Sequence, residues 1–200
     1  MAKILVVDDK EDVCRLMSEV LQAEGHEVIT QHTVEGGISV LRWHSDAKEP
    51  FEICLIDLRF DNYQGDATLP ATAGMLVLEE ALKVRFLEPI ILTAFGSTEN
   101  AAQALAKGVF RYVSKTSESA SALRVNRTFI DQLIGMVSLA VGNREVFRSL
   151  DEALVELRAL FQELRRSGGD AQLVGIASNY LSLAEKADAI ILKARGRHPG

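Results

Sequence analysis

The first 116 residues alternate between apolar segments that favour β-strands and amphipathic segments that favour α-helices. The predicted strands cover 3–7, 27–30, 52–58, 89–93 and 109–113, and the predicted helices cover 11–24, 34–43, 74–84 and 97–108. The first, third and fourth strands are apolar at nearly every position, which is expected when helices cover both faces of a sheet. This alternation predicts an α/β fold with five parallel strands in a doubly wound sheet and right-handed crossovers.

Polar or charged residues stand at the carboxyl ends of four predicted strands. They are Asp8 and Asp9, Asp57, Thr93 and Lys115. Because ligands of such sheets bind outside the carboxyl ends of the strands, we expect these side chains to meet. Three converging carboxylates repel one another, and Mg²⁺ would relieve that repulsion through the oxygen ligands it prefers. With a lysine and a hydroxyl for the phosphoryl oxygens, the set predicts a phosphoryl group carried on Asp57.

The segments VVDD, LIDL, ILTA and YVSK together resemble the receiver domain of two-component response regulators. The resemblance covers residues 1 to about 116 and implies a flavodoxin-like sheet with strand order 2-1-3-4-5. It also implies Mg²⁺ as the cofactor and a sensor histidine kinase or phosphotransfer protein as the phosphoryl donor. An aspartyl-phosphate would then be the signalling state of the chain.

The resemblance assigns roles in metal binding and phosphorylation. Asp57 would be the phosphoacceptor and a metal ligand. Asp9 would bind Mg²⁺ directly, and Asp8 would act largely through water. The backbone carbonyl of Arg59 would complete the protein ligands.

The resemblance also assigns the residues that respond to the phosphoryl group. Thr93 would move toward it, and Lys115 would bind one of its oxygens. Ala94 is small and would leave room for its entry. Tyr112 would be the aromatic switch that follows Thr93 inward.

Each of these residues, taken alone, also has an ordinary structural interpretation. Asp8 and Asp9 could supply negative charge before a helix N-terminus, and Asp57 could be a solvated acid. Thr93 could be a hydroxyl near a helix N-cap, Lys115 a surface lysine, and Tyr112 a core aromatic. Only their joint occurrence, in order and at strand ends, favours the phosphoacceptor interpretation.

The segment 59–73 departs from the family pattern. Asp61 stands where receivers usually have proline, and Gly65 has the spacing of the usual glycine, yet the next predicted helix begins only at Gly74. We infer an insertion of about nine residues within 59–73, a segment longer than most connections in compact domains and called here the inserted segment. It is either a tolerated surface insertion or an element that controls dephosphorylation, and it includes Asp66.

Thr116 follows Lys115 where the family usually has proline after a cis bond. A cis bond before threonine costs about 2.5–4 kcal/mol. The loop is therefore either rebuilt with a trans bond or strained, which affects where the lysine lies.

The remainder of the chain has a different pattern and charge. Residues 1–116 carry 11 basic and 18 acidic residues, whereas residues 117–200 carry 11 and 10. Helices are predicted over 118–142, 145–166 and 171–195, with no strand. We predict a receiver domain over 1–120 and an all-α extension over 121–200, whose first helix continues the last receiver helix.

The helical extension carries an apolar seam but no recognisable catalytic or DNA-reading motif. The seam consists of Leu150, Leu154, Leu157, Phe161 and Leu164, whose alternating four- and three-residue spacing is typical of a coiled coil. We therefore predict a response regulator that signals through a homodimer or a docked partner. A net charge of −6 and dispersed arginines do not favour nucleic-acid binding.

Three other functions remain open. The chain could be a phosphorelay intermediate that passes its phosphoryl group to a histidine, or a transcription regulator with an unrecognised helical DNA-binding part. A magnesium-dependent phosphohydrolase would need an acid two residues after Asp57, where Arg59 stands. His198 is the only histidine after residue 121 and lies in the tail, which argues against a histidine phosphotransfer domain. We expect no enzymatic activity beyond self-phosphorylation and autodephosphorylation.

Cysteine usage and hydropathy indicate a location. Cys14 and Cys54 lie in apolar segments without metal-binding spacing, which favours buried thiols in a reducing compartment. The sequence shows neither a signal peptide nor an apolar run of about 18 residues. We therefore predict a cytoplasmic protein without a membrane span.

Overall fold

The computed structural model describes residues 1–44, 50–65, 70–94, 96–168 and 171–194. The chain divides into two compact units, Met1–Arg144 and Glu145–Gly200. The domain boundary predicted after residue 120 falls inside the first unit. The division of the chain into a receiver domain and an extension at that residue stays a prediction.

The described residues form five strands and seven α-helices. Their bounds are β1 Lys3–Val7, α1 Glu11–Ala23, β2 Glu27–Gln31, α2 Val34–His44, β3 Ile53–Ile56, α3 Gly74–Ala81, β4 Glu88–Thr93, α4 Thr98–Lys107, β5 Arg111–Ser114, α5 Ala120–Val125, α6 Arg127–Arg166 and α7 Ala171–Ala194. A single 3-10 turn, Pro70–Thr72, precedes α3.

The five strands form one parallel sheet in the order β2-β1-β3-β4-β5. Val7 at the end of β1 pairs with Gln31 of β2 and with Ile56 of β3. Thr93 at the end of β4 pairs with Ser114 of β5. This register brings the carboxyl ends of the strands to one edge and confirms the predicted fold, including the sheet order and the helical C-terminal part.

Alternate residues of the central strands contribute to two hydrophobic cores, one on each face of the sheet. Leu5 and Val7 belong to the core formed with α2 and α3. Ile4 and Val6 belong to the core formed with α1 and the first half of α6. Because successive strand side chains point to opposite faces, two covered faces require strands that are apolar throughout.

The predicted continuous helix over 118–142 is wrong at Asn126, which separates α5 from α6. Its backbone has φ −83° and ψ 86°, outside the helical region. Its side-chain oxygen accepts a hydrogen bond from the Phe129 N–H at 3.1 Å, and its amide nitrogen donates to the Thr116 hydroxyl at 2.9 Å. Asparagine is a favourable N-cap and a poor residue for a helix interior, so the local chemistry favours the break.

The predicted interruption between residues 142 and 145 is also wrong, because α6 runs through it. Asn143 donates to Glu88 at 3.0 Å, and Arg144 pairs with Glu52 at 2.8 Å. Glu88 is almost fully buried at the start of β4. These contacts offset the low helix propensity of this segment by satisfying acids at the amino end of the sheet.

The second unit contains the end of α6 and helix α7. Leu154 is the buried leucine of this part of α6, with 6% of its surface exposed. Arg158 on α6 pairs with Glu185 on α7 at 3.1 Å. Gly168, with a φ of +68°, follows α6 and allows the chain to turn. Among the described residues, no helix combines the length and apolarity that a membrane span requires.

Candidate functional site

The edge formed by the carboxyl ends of the strands buries four of the predicted site residues. Asp8 follows β1, Asp57 follows β3, Thr93 ends β4, and Lys115 follows β5. All four are at most 4% exposed. Buried charges need partners, so their contacts define what the site can bind.

Lys115 holds the two buried carboxylates together. Its ammonium nitrogen lies 2.7 Å from Asp8 Oδ2 and 3.0 Å from Asp57 Oδ2. Burial alone would lower the pKa of Lys115, but Asp8 and Asp57 raise it above its ordinary value. Burial raises the pKa of Asp57, and Lys115 opposes that shift. The lysine is therefore a buried cation shared by two acids rather than a surface residue.

The three predicted metal-binding carboxylates converge in the structure. Asp8, Asp9 and Asp57 each offer an oxygen, and these atoms lie within 4.8 Å of one another. Carboxylate oxygens at this separation suit a hard divalent cation such as Mg²⁺, which binds one or two carboxylates and several waters. The donor set therefore fits the metal, while the Arg59 carbonyl as a further ligand stays a prediction.

Asp57 is fixed by neighbours on two sides. Its Oδ1 accepts a hydrogen bond from the Leu58 N–H at 2.8 Å. The Thr93 hydroxyl also hydrogen-bonds its carboxylate. The site thus supplies donors to both oxygens of the predicted phosphoacceptor, and Thr93 lies within reach of any group attached there.

Gly74, at the start of α3, packs directly against the backbone that carries Asp57. A Cβ added at Gly74 would lie 1.9 Å from the Asp57 carbonyl oxygen and 2.8 Å from the Leu58 Cα. The Gly74 N–H donates to the Leu58 carbonyl at 2.9 Å. By contrast, the three nearest atoms to a Cβ added at Gly65, which has the family spacing, all belong to the Tyr63 side chain. The glycine at the close approach is therefore Gly74.

The described part of the inserted segment reaches the metal-binding carboxylates through Asp61. The Asp61 N–H donates to Asp9 Oδ2 at 2.8 Å. Its carboxylate pairs with Lys10 at 2.8 Å and with Arg59 at 2.7 Å. These two cations, Lys10 first, hold the pKa of Asp61 below its ordinary value. Asp66 lies outside the described residues.

The predicted switch residues lie beside the acidic site. Ala94 follows Thr93 and is half-buried. Among the described residues, the buried Tyr112 hydroxyl has no hydrogen-bond partner, and a Cβ at Gly96 would lie 2.7 Å from it. Burial, followed by the nearby Asp57 charge, raises the pKa of Tyr112. The geometry brings Tyr112 close to the site, and its switching role stays a prediction.

The Lys115–Thr116 bond is trans, since the described residues contain no cis peptide bond. Of the two alternatives raised by the missing proline, the loop is therefore rebuilt. The Lys115 N–H still donates to the Thr93 carbonyl at 2.8 Å. This backbone bond keeps the lysine in line with β4.

Both cysteines are buried free thiols, as predicted. The Cys14 thiol lies 3.4 Å from the Asp8 carbonyl, and burial raises its pKa to about 12. A thiol with so high a pKa is a poor nucleophile. The cysteines therefore serve packing, and the reducing cytoplasmic location stays a prediction.

Sequence reasoning did not identify Lys10 and Gly74 as site residues. Lys10 directly follows the acidic pair, and Gly74 begins the helix after the insertion. The only sequence signal for Gly74 was its place at a helix start after an acceptor loop. No local pattern pairs Lys10 with Asp61, 51 positions away.

A family model for the response regulator receiver domain matches residues 4–125. The matched segment contains every predicted site residue. It ends at the last residue of α5, so that α6 and α7 lie beyond it.

Curated relatives match a segment of similar length. The transcriptional regulatory protein GlrR of Escherichia coli K12 is 33% identical over 115 residues, which is 57% of this chain and 23% of GlrR. The regulatory protein AtoC of the same strain is 31% identical over 114 residues, 56% of this chain and 22% of AtoC. The chain thus spans about a quarter of the length of these relatives.

Solved structures show the same fold at low sequence identity. The receiver domain of NtrX from Brucella abortus has a TM-score of 0.52 and 23% identity, covering 70% of this chain and 98% of that one. NtrX from the same organism, in complex with ATP, has a TM-score of 0.58 and 21% identity, covering 82% and 34%.

Proposed function

This chain belongs to the response regulator receiver domain family, and we propose that it is phosphorylated on Asp57 by a histidine kinase and signals through its C-terminal helices. The observation that carries the proposal is the buried contact of Lys115 with both Asp8 and Asp57. Two buried carboxylates with one fixed cation and a third carboxylate nearby suit a metal and a phosphoryl group better than a purely structural role.

The positions of the side chains support the following phosphorylation step. A carboxylate oxygen of Asp57 attacks phosphorus, an O–P bond forms, and the P–N bond to the donor histidine breaks. Mg²⁺, when bound by Asp8, Asp9 and Asp57, supplies positive charge for the phosphoryl oxygens. Lys115 then exchanges its contact with the Asp57 carboxylate for a phosphoryl oxygen, and Thr93 donates its hydroxyl to another.

The activity proposed is limited to the chain's own phosphorylation and dephosphorylation. A phosphohydrolase acting on other molecules would place an acid two residues after the nucleophile. Arg59 occupies that position, and its Nε instead pairs with Asp61 at 2.7 Å. The proposed role is that of a switch rather than an enzyme with a separate substrate.

Helices α6 and α7 present exposed apolar side chains, which we propose as a homodimer interface and call the exposed seam. It shares only Leu150 with the seam predicted from the sequence, and it consists of Val146, Leu150 and Leu160 on α6, and Leu173, Ile176, Tyr180 and Leu183 on α7. Each of these side chains is at least 45% exposed. On α7 they recur at three- and four-residue spacing, which is typical of helices that pack on a further helix. A second copy would cover both stripes in a four-helix bundle.

The seam gives a direct test of this function. Light scattering with Mg²⁺ and beryllofluoride, which mimics the aspartyl-phosphate, is expected to show a dimer or a rearranged dimer. Leu160→Glu is expected to weaken self-association at least tenfold, because it places a charge in an apolar contact. Ala159→Glu makes the same charge change at an exposed neighbour outside the seam and should leave assembly unchanged.

Two outcomes would contradict the proposed output. A monomer, or a dimer unchanged in both molar mass and hydrodynamic radius, with beryllofluoride bound would favour a phosphorelay intermediate, and transfer of the phosphoryl group to a histidine protein would then be the decisive assay. Failure of beryllofluoride to bind would contradict the phosphoacceptor site itself.

Transcriptional control is the second candidate, because relatives such as GlrR are named transcriptional regulatory proteins. Their similarity covers 115 residues of this chain, and the arginines Arg148 and Arg158 pair with Glu152 and Glu185 in the second unit. Such pairing reduces the charge available to phosphates. A salt-dependent gel shift would support this candidate.

A further inference from the structure

One carboxylate oxygen of Asp9 accepts hydrogen bonds from two donors. Its Oδ2 accepts the Asp61 N–H at 2.8 Å. The Lys10 ammonium lies 3.4 Å from the same oxygen and 2.8 Å from Asp61 Oδ2. Lys10 is therefore shared between a site carboxylate and a carboxylate of the inserted segment.

Asp61 can hold this arrangement because it is not proline. Its N–H supplies the hydrogen bond to Asp9, which proline lacks. Its carboxylate binds Lys10 through one oxygen and Arg59 through the other. A single residue of the inserted segment thus both anchors Asp9 and attracts the cation beside it.

Solvent exposure distinguishes the fixed members of this group from the members that can move. The Asp9 side chain is only 5% exposed, whereas those of Lys10 and Asp61 are 32% and 44% exposed. A bound divalent cation would need Asp9 and would repel a nearby ammonium. Lys10 can leave toward solvent, where Asp61 offers it an alternative partner.

We propose that Lys10 competes with the divalent cation for Asp9, and that Asp61 sets the strength of this competition by drawing Lys10 away. The proposal rests on the metal site of the proposed function. It gives the inserted segment a defined role, since the segment tunes the metal affinity of the site through one carboxylate.

Isothermal titration with MgCl₂ at constant ionic strength tests the competition. Lys10→Met is expected to tighten Mg²⁺ binding about three- to tenfold, because it removes a unit charge close to the cation. Lys83→Met is the matched control, because it removes the same charge from a lysine that follows α3 and pairs with Glu80. Equal affinities for the two variants would overturn the proposal.

A double-mutant cycle separates the competition from a simple change of charge. Asp61→Asn is expected to weaken Mg²⁺ binding in the wild type, because Lys10 then has Asp9 as its carboxylate partner in this group. In the Lys10→Met background the same substitution should have a clearly smaller effect. Additive effects would overturn the role of Asp61.

The wild-type titration distinguishes failure of this proposal from failure of the metal site. If the folded wild type binds no Mg²⁺, both are overturned. If it binds Mg²⁺ with the same affinity as Lys10→Met, the competition alone is overturned.

Discussion

Asp57→Asn is expected to lower phosphoryl labelling by acetyl phosphate and Mg²⁺ at least 100-fold. An amide oxygen is a much weaker nucleophile than a carboxylate oxygen. The variant should still fold, because it removes a buried carboxylate whose pKa is raised by burial. In addition, the amide oxygen of the new side chain can still accept a hydrogen bond from the Leu58 N–H. Labelling is measured with ³²P-acetyl phosphate, and folding is measured by circular dichroism.

Asp12→Asn provides the matched control for this experiment. Asp12 is an exposed acid in the first turn of α1, close in sequence to the acidic pair. The same chemical change there should leave labelling within about twofold of the wild type, because surface substitutions have small effects. Wild-type labelling of a folded Asp57→Asn variant would contradict the assignment of the acceptor.

Gly74→Ala is expected to destabilise the first unit by about 3 kcal/mol or more. The added methyl group would overlap backbone atoms of Asp57 and Leu58, and backbone cannot rotate away as a long side chain can. Urea denaturation measures the change in the free energy of unfolding. If Gly74→Ala still folds, its phosphoryl labelling should also be slower than that of the wild type, because the loop that carries Asp57 must move.

Gly135→Ala is the control with the opposite expected sign. Gly135 lies within α6, and among the described residues no atom beyond its chain neighbours and the helix's own backbone lies within 4 Å of an added Cβ. Alanine should therefore stabilise the helix by about 0.5–1 kcal/mol. Equal stabilities of the two variants would show that α3 does not pack on the acceptor loop as described.

The strand ends of the site could be predicted because they follow from a local pattern. A strand buried on both faces is apolar throughout, so a charged residue that follows it marks the edge of the sheet. Asp8, Asp57 and Lys115 were each placed by this reasoning, and parallel pairing brought them together.

The contacts of the inserted segment could not be predicted in this way. Asp61 meets Lys10 across 51 positions and Asp9 across 52, and no periodicity encodes such a contact. Family spacing pointed to Gly65, whereas the close approach belongs to Gly74 because the insertion precedes α3.

In the helical part, burial does not follow the predicted apolar seam. The predicted seam combined Leu150 with Leu154, yet Leu154 is 6% exposed and Leu150 is 46% exposed. Apolar spacing identifies helices that pack, but it does not say which stripe packs within the chain and which remains open. Apolar periodicity likewise continues across Asn126, although this residue caps a new helix.

Trapping the phosphorylated residue tests the central claim most directly. The wild-type protein is incubated with acetyl phosphate and Mg²⁺ and then treated with borohydride, which reduces an acyl phosphate to an alcohol. Peptide mass spectrometry is expected to find homoserine in place of Asp57 and at no other aspartate. Homoserine at another aspartate, or none in protein that carries the label, would contradict Asp57 as the phosphoacceptor.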